Sequence, residues 1–522
     1  MTTFDDASAV AARGPAARRS SVRVLLVPLI LAMMLSQLDN MIVATALPTV
    51  TAELGGLEHV SWVVTAYTLA TAASTPLWGR LGDTRGRKGV LLAAITVFLI
   101  GSALSGAAQS MGQLIGFRAL QGLGAGGLMA GVMATVAELV PPRERGRYQG
   151  MISAAMAIAM IGGPLAGGAV TDHLGWRWAF YLNLPLGLLA LTMIWLLLLR
   201  LPERRSTARL DHLGAALLMT GITAAVLLTT WGGTRYAWDS APTLALGATA
   251  GAALWAFIRR QHRTAHPIMP PHMFRVRNFT LMSVIGFLTG FVLFGALLFL
   301  PLYQQAVQGA SATNSGLLLL PMLAAMIATS LAAGRTATVS GRYKMFPVAG
   351  GALLTAGTWL LSRMDTTTSR PTAALYMAVL GAGLGFLTQI VTVVAQNSVE
   401  AHDLGAASAA ITLFRTLGSC LGVAVMGTLF NREVQRVMAE RAPGRPALDN
   451  AQLDAAGLAR LEPALHEAYR HATAAGTHAA FVLSALAGMA VCAAALLVRE
   501  VALRRTAQPT GRPARPQPDG SR

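Results

Sequence analysis

The sequence predicts an all-α protein that crosses a membrane many times, and three observations support this fold class. Hydrophobic residues make up 54% of the 522 residues and charged residues only 12%, roughly half the charged fraction of an average soluble domain. The 53 glycines and 24 prolines suit transmembrane helices, where small residues allow close packing. Long apolar segments recur along the chain, with most charges between them. A soluble globular fold is therefore excluded.

Fourteen apolar segments have the length of about 20 residues that a bilayer-spanning helix needs. They lie near 24–48, 60–78, 89–109, 113–139, 149–170, 179–199, 211–231, 241–258, 279–302, 314–333, 346–362, 372–394, 405–430 and 478–498. An even number of spans places both termini on the same side of the membrane.

The distribution of basic residues predicts which side this is. If the N-terminus is cytoplasmic, the cytoplasmic segments hold 29 of the 41 Lys and Arg residues and the exterior segments hold 10. Cytoplasmic loops carry such an excess of basic residues, so both termini are predicted to be cytoplasmic. The net charge of +18 thus reflects topology and some attraction to anionic lipid, and we expect no binding to nucleic acid.

The polar connections divide the chain into five parts. These are a cytoplasmic tail (1–22), six spans (23–200), two further spans with cytoplasmic linkers (201–278), six last spans (279–503) and a second cytoplasmic tail (504–522). Most of residues 1–20 and the Pro-rich C-terminal tail are predicted to be disordered. A long exterior loop near 431–476 contains helix-forming residues that could form a short surface helix.

The first span carries an acidic residue inside an otherwise apolar helix. In LDNMIVATALPTV, Asp39 lies about two-thirds of the way along the span, and an ionisable residue at such depth usually marks a functional site. A buried carboxyl can bind a proton near neutral pH, so Asp39 is predicted to carry a proton or to contact a cationic substrate. The alternative is a carboxylate that extends to the exterior edge of the membrane.

A compact charged run, GRLGDTRGRKGVL, follows the second span. Its charges cannot lie in hydrocarbon, so the run must be a loop at a membrane face. Glycines let helix ends approach closely, and a carboxylate can accept hydrogen bonds from arginines or from a helix N-terminus. We predict a latch between two helical halves, formed by Gly79, Asp83, Gly86, Arg87 and Lys88. The alternative is an ordinary solvated loop.

A second intramembrane charge is predicted in the fourth span. LIGFRALQGLGAGG places Arg118 on a helix lined with glycines, and its guanidinium could pair with Asp39 and thereby tune proton binding. The sequence leaves this pairing open. Glu138, near the cytoplasmic end of the same span, is the next candidate for carrying a proton. The glycines also fit a GxGxxG nucleotide-binding pattern, but no strand precedes them, so helix packing is the favoured interpretation.

The fifth span contains GGPLAGGAV, with Gly163, Pro164, Gly167 and Gly168. Proline interrupts the hydrogen bonding of a helix, and glycines permit close helix contacts. This element is therefore predicted to kink and to pack against a helix from the other half, where it would seal one end of a pathway. The alternative is a general packing face of small residues.

The remaining chemistry-bearing residues give fewer indications. Arg415, in LFRTLGSCLGVAVMG, is the only charge within its span. Cys420 and Cys492 lie in apolar segments, so no disulfide framework is expected. The ten histidines lack the spacing of metal ligands, and we predict no metal and no cofactor. HExxH, GxxxxGK[ST] and serine-hydrolase motifs are missing from the sequence, so we expect neither an enzyme nor direct use of ATP.

These motifs resemble those of the major facilitator superfamily. The charged loop is similar to the family's loop between helices 2 and 3, with Gly82 and Thr84 in place of the usual Ala and Arg. The segment around Arg118 resembles a Leu-x-x-x-Arg-x-x-Gln-Gly-x-Gly pattern in which the family links the arginine to proton coupling. GGPLAGG resembles the Gly-Pro-x-x-Gly-Gly element of the family's antiporters, with Ala159 where a further glycine is usual.

Two other segments resemble the fourteen-helix drug:proton antiporters within this superfamily. The stretch around Asp39 is similar to their first-helix signature, although Met41 replaces a threonine. The segment WRWAFYLNLP, from Trp176 onward, is similar to their Trp-Arg-Trp-x-Phe-x-(Ile/Leu)-Asn-x-Pro segment. Arg415 resembles an element of their penultimate helix. The resemblance covers roughly residues 23–500.

The resemblance implies a major facilitator fold, with two six-helix bundles, two inserted helices and alternating access to a central site. The implied function is proton-coupled export of amphipathic toxic compounds, such as drugs or antibiotics, across the cytoplasmic membrane. The implied partners are a small amphipathic substrate, protons and the lipid bilayer, and we expect a monomer. The alternatives are a dedicated exporter of one endogenous metabolite or an importer; a membrane enzyme or sensor is disfavoured, because the sequence has no catalytic cluster and no soluble output domain.

Overall fold

A computed structural model describes residues 15–55, 60–140, 142–198, 211–232, 236–310, 312–441 and 462–501. Within these ranges the chain forms sixteen α-helices, and the only β-type pairing is an isolated bridge between Gly232 and Tyr236. The first seven helices are α1 (Pro15–Leu54), α2 (Val60–Arg85), α3 (Arg87–Gly106), α4 (Met111–Leu139), α5 (Pro142–Leu174), α6 (Arg177–Tyr181) and α7 (Asn183–Leu198).

The other nine helices complete the described chain. They are α8 (His212–Trp231), α9 (Ala241–Gln261), α10 (Arg277–Ala306), α11 (Ala312–Leu317), α12 (Leu320–Ser340), α13 (Met345–Ser362), α14 (Arg370–Asn397), α15 (Leu404–Arg441) and α16 (Pro463–Leu496). Two 3₁₀ helices, Pro271–Arg275 and Ala401–Asp403, precede α10 and α15. The all-helical prediction is confirmed for the described residues.

Twelve segments of the described chain are long and apolar enough to cross a membrane. Two of the fourteen predicted spans, near 60–78 and 149–170, form the helices α2 and α5 but are not among these twelve. In α2, small and hydroxyl-bearing residues and the charged residues at the predicted cytoplasmic end lower the mean hydropathy, whereas the stretch 151–170 of α5 is apolar and uncharged. The structure therefore supports a multi-pass membrane protein with about twelve spans and does not confirm the count of fourteen.

Two groups of helices repeat the same packing pattern. In the first, α4 packs against α2 and α3, while α1 packs against α5 and α7. In the second, α14 packs against α12 and α13, while α10 packs against α15 and α16. The pair α8 and α9 pack against each other, and α8 also contacts α2 and α15.

The two groups meet along a small set of helices. α5 packs against α12 and α14, and α15 packs against α2 and α4. Gly150 of α5 lies so close to α12 that a Cβ added there would be 3.1 Å from Leu331 Cδ2. These contacts position the candidate site, because they bring the charged C-terminal end of α2 against the first turn of α15.

Several predicted boundaries need correction. α1 begins at Pro15 rather than near residue 24, so part of the predicted disordered tail is helical. α15 extends to Arg441 and α16 begins at Pro463, so both helices continue into the predicted exterior loop near 431–476. Their sequences there are rich in Ala, Glu and Arg, which favour helix. The predictions for residues 1–14, 442–461 and 504–522 lie outside the described residues.

Candidate functional site

A buried ion pair joins the first and fourth helices of the chain. Arg118 Nη1 lies 2.6 Å from Asp39 Oδ2, and both side chains are 0% exposed. An isolated charge at this depth would be strongly destabilising, whereas a paired and hydrogen-bonded one can be accommodated. The structure thus brings together the two intramembrane charges whose pairing the sequence left open.

Two amides complete the hydrogen bonding around this pair. Gln121 donates to Asp39 Oδ1 at 2.8 Å and accepts from Arg118 at 2.8 Å, and Asn183 donates to the same Asp39 oxygen at 2.6 Å. Asn183 also donates to Ser102 Oγ at 2.9 Å. The carboxylate therefore accepts three hydrogen bonds from two other helices, which fixes its position.

Aromatic rings surround the guanidinium of Arg118. Its Cζ lies 4.1 Å from the centroid of the Tyr67 ring and 5.8 Å from that of Phe180, so cation–π attraction adds to the ion pair. The Tyr67 hydroxyl donates to the Ser36 carbonyl at 2.9 Å. Arg118 Nη2 and Asn183 Oδ1 have no hydrogen-bond partner among the described residues, so this network retains one free donor and one free acceptor.

Glycines on α4 make this close arrangement possible. A Cβ at Gly122 would meet the Tyr67 carbonyl oxygen, one at Gly124 would lie 2.7 Å from the Ala94 carbonyl oxygen, and one at Gly126 would lie 2.6 Å from that of Thr71. The backbones of α2, α3 and α4 therefore nearly touch. This arrangement agrees with the helix-packing interpretation, and no β-strand precedes these glycines within the described chain.

The charged run joins the two groups of helices at the predicted cytoplasmic end. It is not the predicted loop: residues 79–85 form the last turns of α2, Arg87 begins α3, and Gly86 alone lies between the two helices. Asp83 Oδ1 and Oδ2 accept hydrogen bonds from the backbone N–H groups of Gly405 and Ala406 at 3.1 and 2.9 Å. These groups lie in the first turn of α15, where N–H groups lack helical partners and the helix dipole favours an anion. We call this contact, with Arg87, the latch.

Basic and glycine residues support the latch. Arg87 bonds Asp83 at 2.8 Å and Glu138 at 2.6 Å. Gly79 lies where a Cβ would be 2.7 Å from Ala409 Cβ, and Gly86 has φ +96°, which side chains disfavour. Glu138 is 40% exposed and belongs to this cluster, so the structure does not place it with Asp39. Lys88, the next residue after Arg87, forms no ion pair with a described residue.

The GGPLAGGAV element lies within the continuous helix α5. A Cβ at Gly163 would collide with Met41 of α1, so the close contact at this glycine is with a helix of its own group. This differs from the predicted contact with the other half, which α5 makes instead at Gly150. Pro164 lies inside the same helix, Gly167 is buried, and a Cβ at Gly168 would have no neighbour within 4 Å.

A second polar cluster lies at the predicted exterior end. Glu53 accepts hydrogen bonds from Arg177 and from Trp176 Nε1, the latter at 2.6 Å. The bond from Arg177 and that from Trp176 hold the pKa of Glu53 below its ordinary value. Because its pKa is lowered, Glu53 stays ionised and keeps this contact until the pH falls to the lowered pKa. The contact therefore persists across the neutral range.

Two further features lie outside these clusters. Arg415 lies on α15, within the second group of helices. His272 and His402 both approach Asp403 Oδ2, at 2.7 and 3.4 Å, although the sequence spacing of the histidines gave no indication of this cluster. The cluster connects the linker after α9 with the start of α15, next to the latch.

The helices and the buried ion pair define a multi-pass membrane protein with charged groups in its interior. The family model for the Major Facilitator Superfamily matches residues 29–423, and the chain belongs to that superfamily of transporters. An uncharacterized MFS-type transporter of Mycobacterium tuberculosis is 40% identical over 423 residues, which are 81% of this chain and 61% of that protein. The chain thus spans less than two-thirds of the length of this relative.

Other relatives carry functional names. The multidrug transporter protein MdtP of Bacillus subtilis is 34% identical over 85% of this chain and 81% of its own length. Multidrug resistance protein 3 of the same species is 33% identical over 79% and 80%. Among solved structures, the human organic anion transporter MFSD10 covers 91% of this chain and 99% of its own with TM-score 0.63 at 15% identity, which shows a shared fold alone.

Sequence reasoning missed several residues of the site. Asn183, Tyr67, Ser102 and Ser36 were not predicted to meet the ion pair. The sequence did give an indication for Asn183, because it is the asparagine of the segment WRWAFYLNLP, which resembles the subfamily pattern. The others are neutral residues in ordinary helical sequence.

Proposed function

We propose that this protein is a proton-coupled efflux transporter of the fourteen-helix drug:proton antiporter kind. In this proposal both termini face the cytoplasm, and α2 and α5 are the two spans that complete the count. It would export amphipathic toxic compounds, such as drugs or antibiotics, across the cytoplasmic membrane. The names of the Bacillus subtilis relatives support export of several compounds.

The observation that carries the proposal is the fully buried pair of Asp39 and Arg118. A proton on Asp39 removes the charge that holds Arg118, so proton binding and the arrangement of α1 and α4 become linked. A difference of about 2.7 kcal/mol in the free energy of proton binding between two conformations would be enough for this link. That difference would bias the conformations about a hundredfold, which is sufficient to couple a proton to a transport step.

The latch supplies the second part of the mechanism. It joins the C-terminal end of α2 to the first turn of α15, and these helices belong to different groups. With both termini in the cytoplasm, this contact closes the cytoplasmic side. Export requires it to open, so that substrate can enter between the two groups, and to re-form when the exterior side opens.

The decisive experiment uses protein reconstituted in liposomes with a lumenal pH dye. A panel of cationic, neutral and anionic aromatic compounds is added outside, with no imposed proton gradient. Antiport makes the lumen more alkaline as a compound enters, because protons leave in exchange. Symport, as in an importer of the same fold, makes the lumen more acidic, and uncoupled transport leaves its pH unchanged.

Two variants test the role of the pair. Asp39→Asn should abolish the pH change, because its amide cannot carry the proton. The matched control is Glu467→Gln, which removes an exposed acid from α16 and should exchange protons as the wild type does. A normal pH change in the Asp39→Asn protein would assign the proton to another group.

A further inference from the structure

A small cavity lies between α10, α14 and α15 in the second group of helices. It is partly open, and about 10 Å³ of it can be reached by a water-sized molecule. Its polar lining comes from Arg415, Thr289, Thr388 and Thr392, and its apolar lining includes Val391 and Ile411. That volume is room for about one water molecule and far less than a whole drug-sized ligand needs, so a ligand would place only its polar head group there, in exchange for a water.

Arg415 lies deep in the membrane in this arrangement. It follows Gly405, at the latch, by ten residues on one continuous helix, which corresponds to a rise of about 15 Å. The hydrocarbon core is about 30 Å thick, so Arg415 lies near its middle. Substrate sites of transporters with this type of repeat lie at the same depth.

The two intramembrane arginines differ in one respect. Arg118 has Asp39 as an ionic partner, whereas Arg415 has neither an acidic partner nor a hydrogen-bond acceptor among the described residues. An unpaired cation away from water is costly. The second group of helices therefore presents a positive charge that an anion can neutralise.

The location of the cavity favours a substrate group over a structural anion. α10 and α14 occupy in the second group the places of α1 and α4 in the first, as the repeated packing shows. Thr289 and Thr388 donate their hydroxyls to their own helices, to Ile285 O at 2.7 Å and Leu384 O at 2.8 Å. The Thr392 hydroxyl has no hydrogen-bond partner within the described part of the chain, so it can donate to a ligand together with Arg415.

We propose that Arg415 and Thr392 bind the carboxylate of an anionic substrate, which makes aromatic or amphipathic carboxylic acids a preferred substrate class. A planar guanidinium binds a carboxylate through two parallel hydrogen bonds. This inference rests on the proposed transport function, because a substrate must reach the cavity through the central pathway.

The test measures binding in lipid nanodiscs, without a gradient and without transport. The ligands are 2-naphthoate and its methyl ester, which share one aromatic body and differ in the negative charge. Wild-type protein should bind the acid about tenfold more tightly than the ester, since a charge-assisted bidentate contact is lost in the ester. Arg415→Gln should bind both equally, with the affinity for the ester unchanged.

Two further variants separate the site from general effects on folding. Arg415→Lys keeps the charge but loses the bidentate geometry, so it should retain part of the preference for the acid. Arg335→Gln removes an exposed arginine from α12 of the same group and should keep the full preference. Wild-type protein that bound the two ligands equally, or bound neither, would overturn the proposal, and so would a full preference in Arg415→Gln.

This result is independent of the proton-exchange experiment. If the protein transports a cation in exchange for protons but shows no preference for naphthoate, only the proposed carboxylate site is contradicted. If the protein binds naphthoate preferentially but moves no protons, only the antiport mechanism is contradicted.

Discussion

At the scale of single residues, the Asp39 carboxylate depends on partners that lie far away in the sequence. Arg118, Gln121 and Asn183 each place a nitrogen within 2.8 Å of one of its oxygens. Removing one member of a buried ion pair leaves the other as an uncompensated charge, which costs more than the pair contributes. A variant that lacks both charges should therefore be more stable than a variant that lacks only one of them.

This argument makes a prediction for Arg118. Arg118→Gln should destabilise the folded protein by about 3–5 kcal/mol, because Asp39 loses its counter-charge. The double variant Asp39→Asn, Arg118→Gln should recover much of that loss, because neither charge remains. Thermal unfolding of the purified proteins in detergent measures both effects.

The control for this prediction is Arg436→Gln. Arg436 pairs with Glu433 and Glu440 at the surface, where an ion pair contributes about 0–1 kcal/mol. If the double variant were as unstable as Arg118→Gln alone, the loss would come from packing around the arginine rather than from charge.

The sequence revealed the charged members of this network but not the neutral ones. Asp39 and Arg118 attract attention because ionisable residues are rare inside membrane spans. Asn183, Ser102 and Tyr67 are of neutral residue types that do not stand out in a helical sequence. Their contacts join residues separated by up to 144 positions in the sequence. One sequence without an alignment cannot show which helices are neighbours, so these partners could be found only in the folded structure.

At the scale of helices, glycine positions determine how closely neighbouring backbones pack. Within the GGPLAGGAV element, Gly163 faces Met41 with no room for a Cβ, whereas Gly162 and Gly168 face open space. At Gly163 the close neighbour is α1, whereas the sequence predicted that this element contacts a helix of the other half. A glycine pattern predicts that a neighbouring helix packs closely, but it does not identify that helix.

We predict a strong difference between Gly163→Ala and Gly168→Ala. The added methyl group at residue 163 collides with Met41 and must separate α1 from α5, at a cost of about 1–3 kcal/mol. The same change at residue 168 meets no atom and should leave stability and transport unchanged. Melting temperatures and transport rates per molecule of both variants provide the measurement, and equal losses would contradict the packing assignment.

At the scale of the whole molecule, hydropathy and charge predicted helix order well and helix ends less well. Long apolar segments fixed the existence of each span, since only a helix satisfies its own backbone in lipid. Helix ends depend on packing and capping beyond the membrane, so the sequence did not show that α15 continues to Arg441. Because α2 is rich in small and hydroxyl-bearing residues, a count by hydropathy alone would omit it.

Topology gives a direct prediction. Reporter fusions after Asp211 and after Arg505 should both report a cytoplasmic location, and a cysteine at Ser240, between α8 and α9, should react with an impermeant maleimide added from outside. Omission of either α2 or α5 alone would reverse the side of every later segment. An exterior signal at Arg505 would therefore contradict an even number of spans.

The last prediction concerns the equilibrium between the two states that alternating access requires. Asp83 accepts two backbone hydrogen bonds from the first turn of α15, and each hydrogen bond to a charged group contributes about 1.5–3 kcal/mol. Asp83→Asn removes this charge and keeps the shape of the side chain. The closed latch should then lose on the order of tenfold or more in population, while abundance in the membrane changes little.

The readout is a cysteine at Ala409, beside Gly79, in a protein whose Cys420 and Cys492 are replaced by serine. Maleimide should label this cysteine faster in the Asp83→Asn protein than with Asp83 intact, and transport per molecule should fall. Asp365→Asn, in the loop between α13 and α14, serves as the matched control and should change neither. Unchanged labelling together with lost transport would assign Asp83 a role other than holding the two groups of helices together.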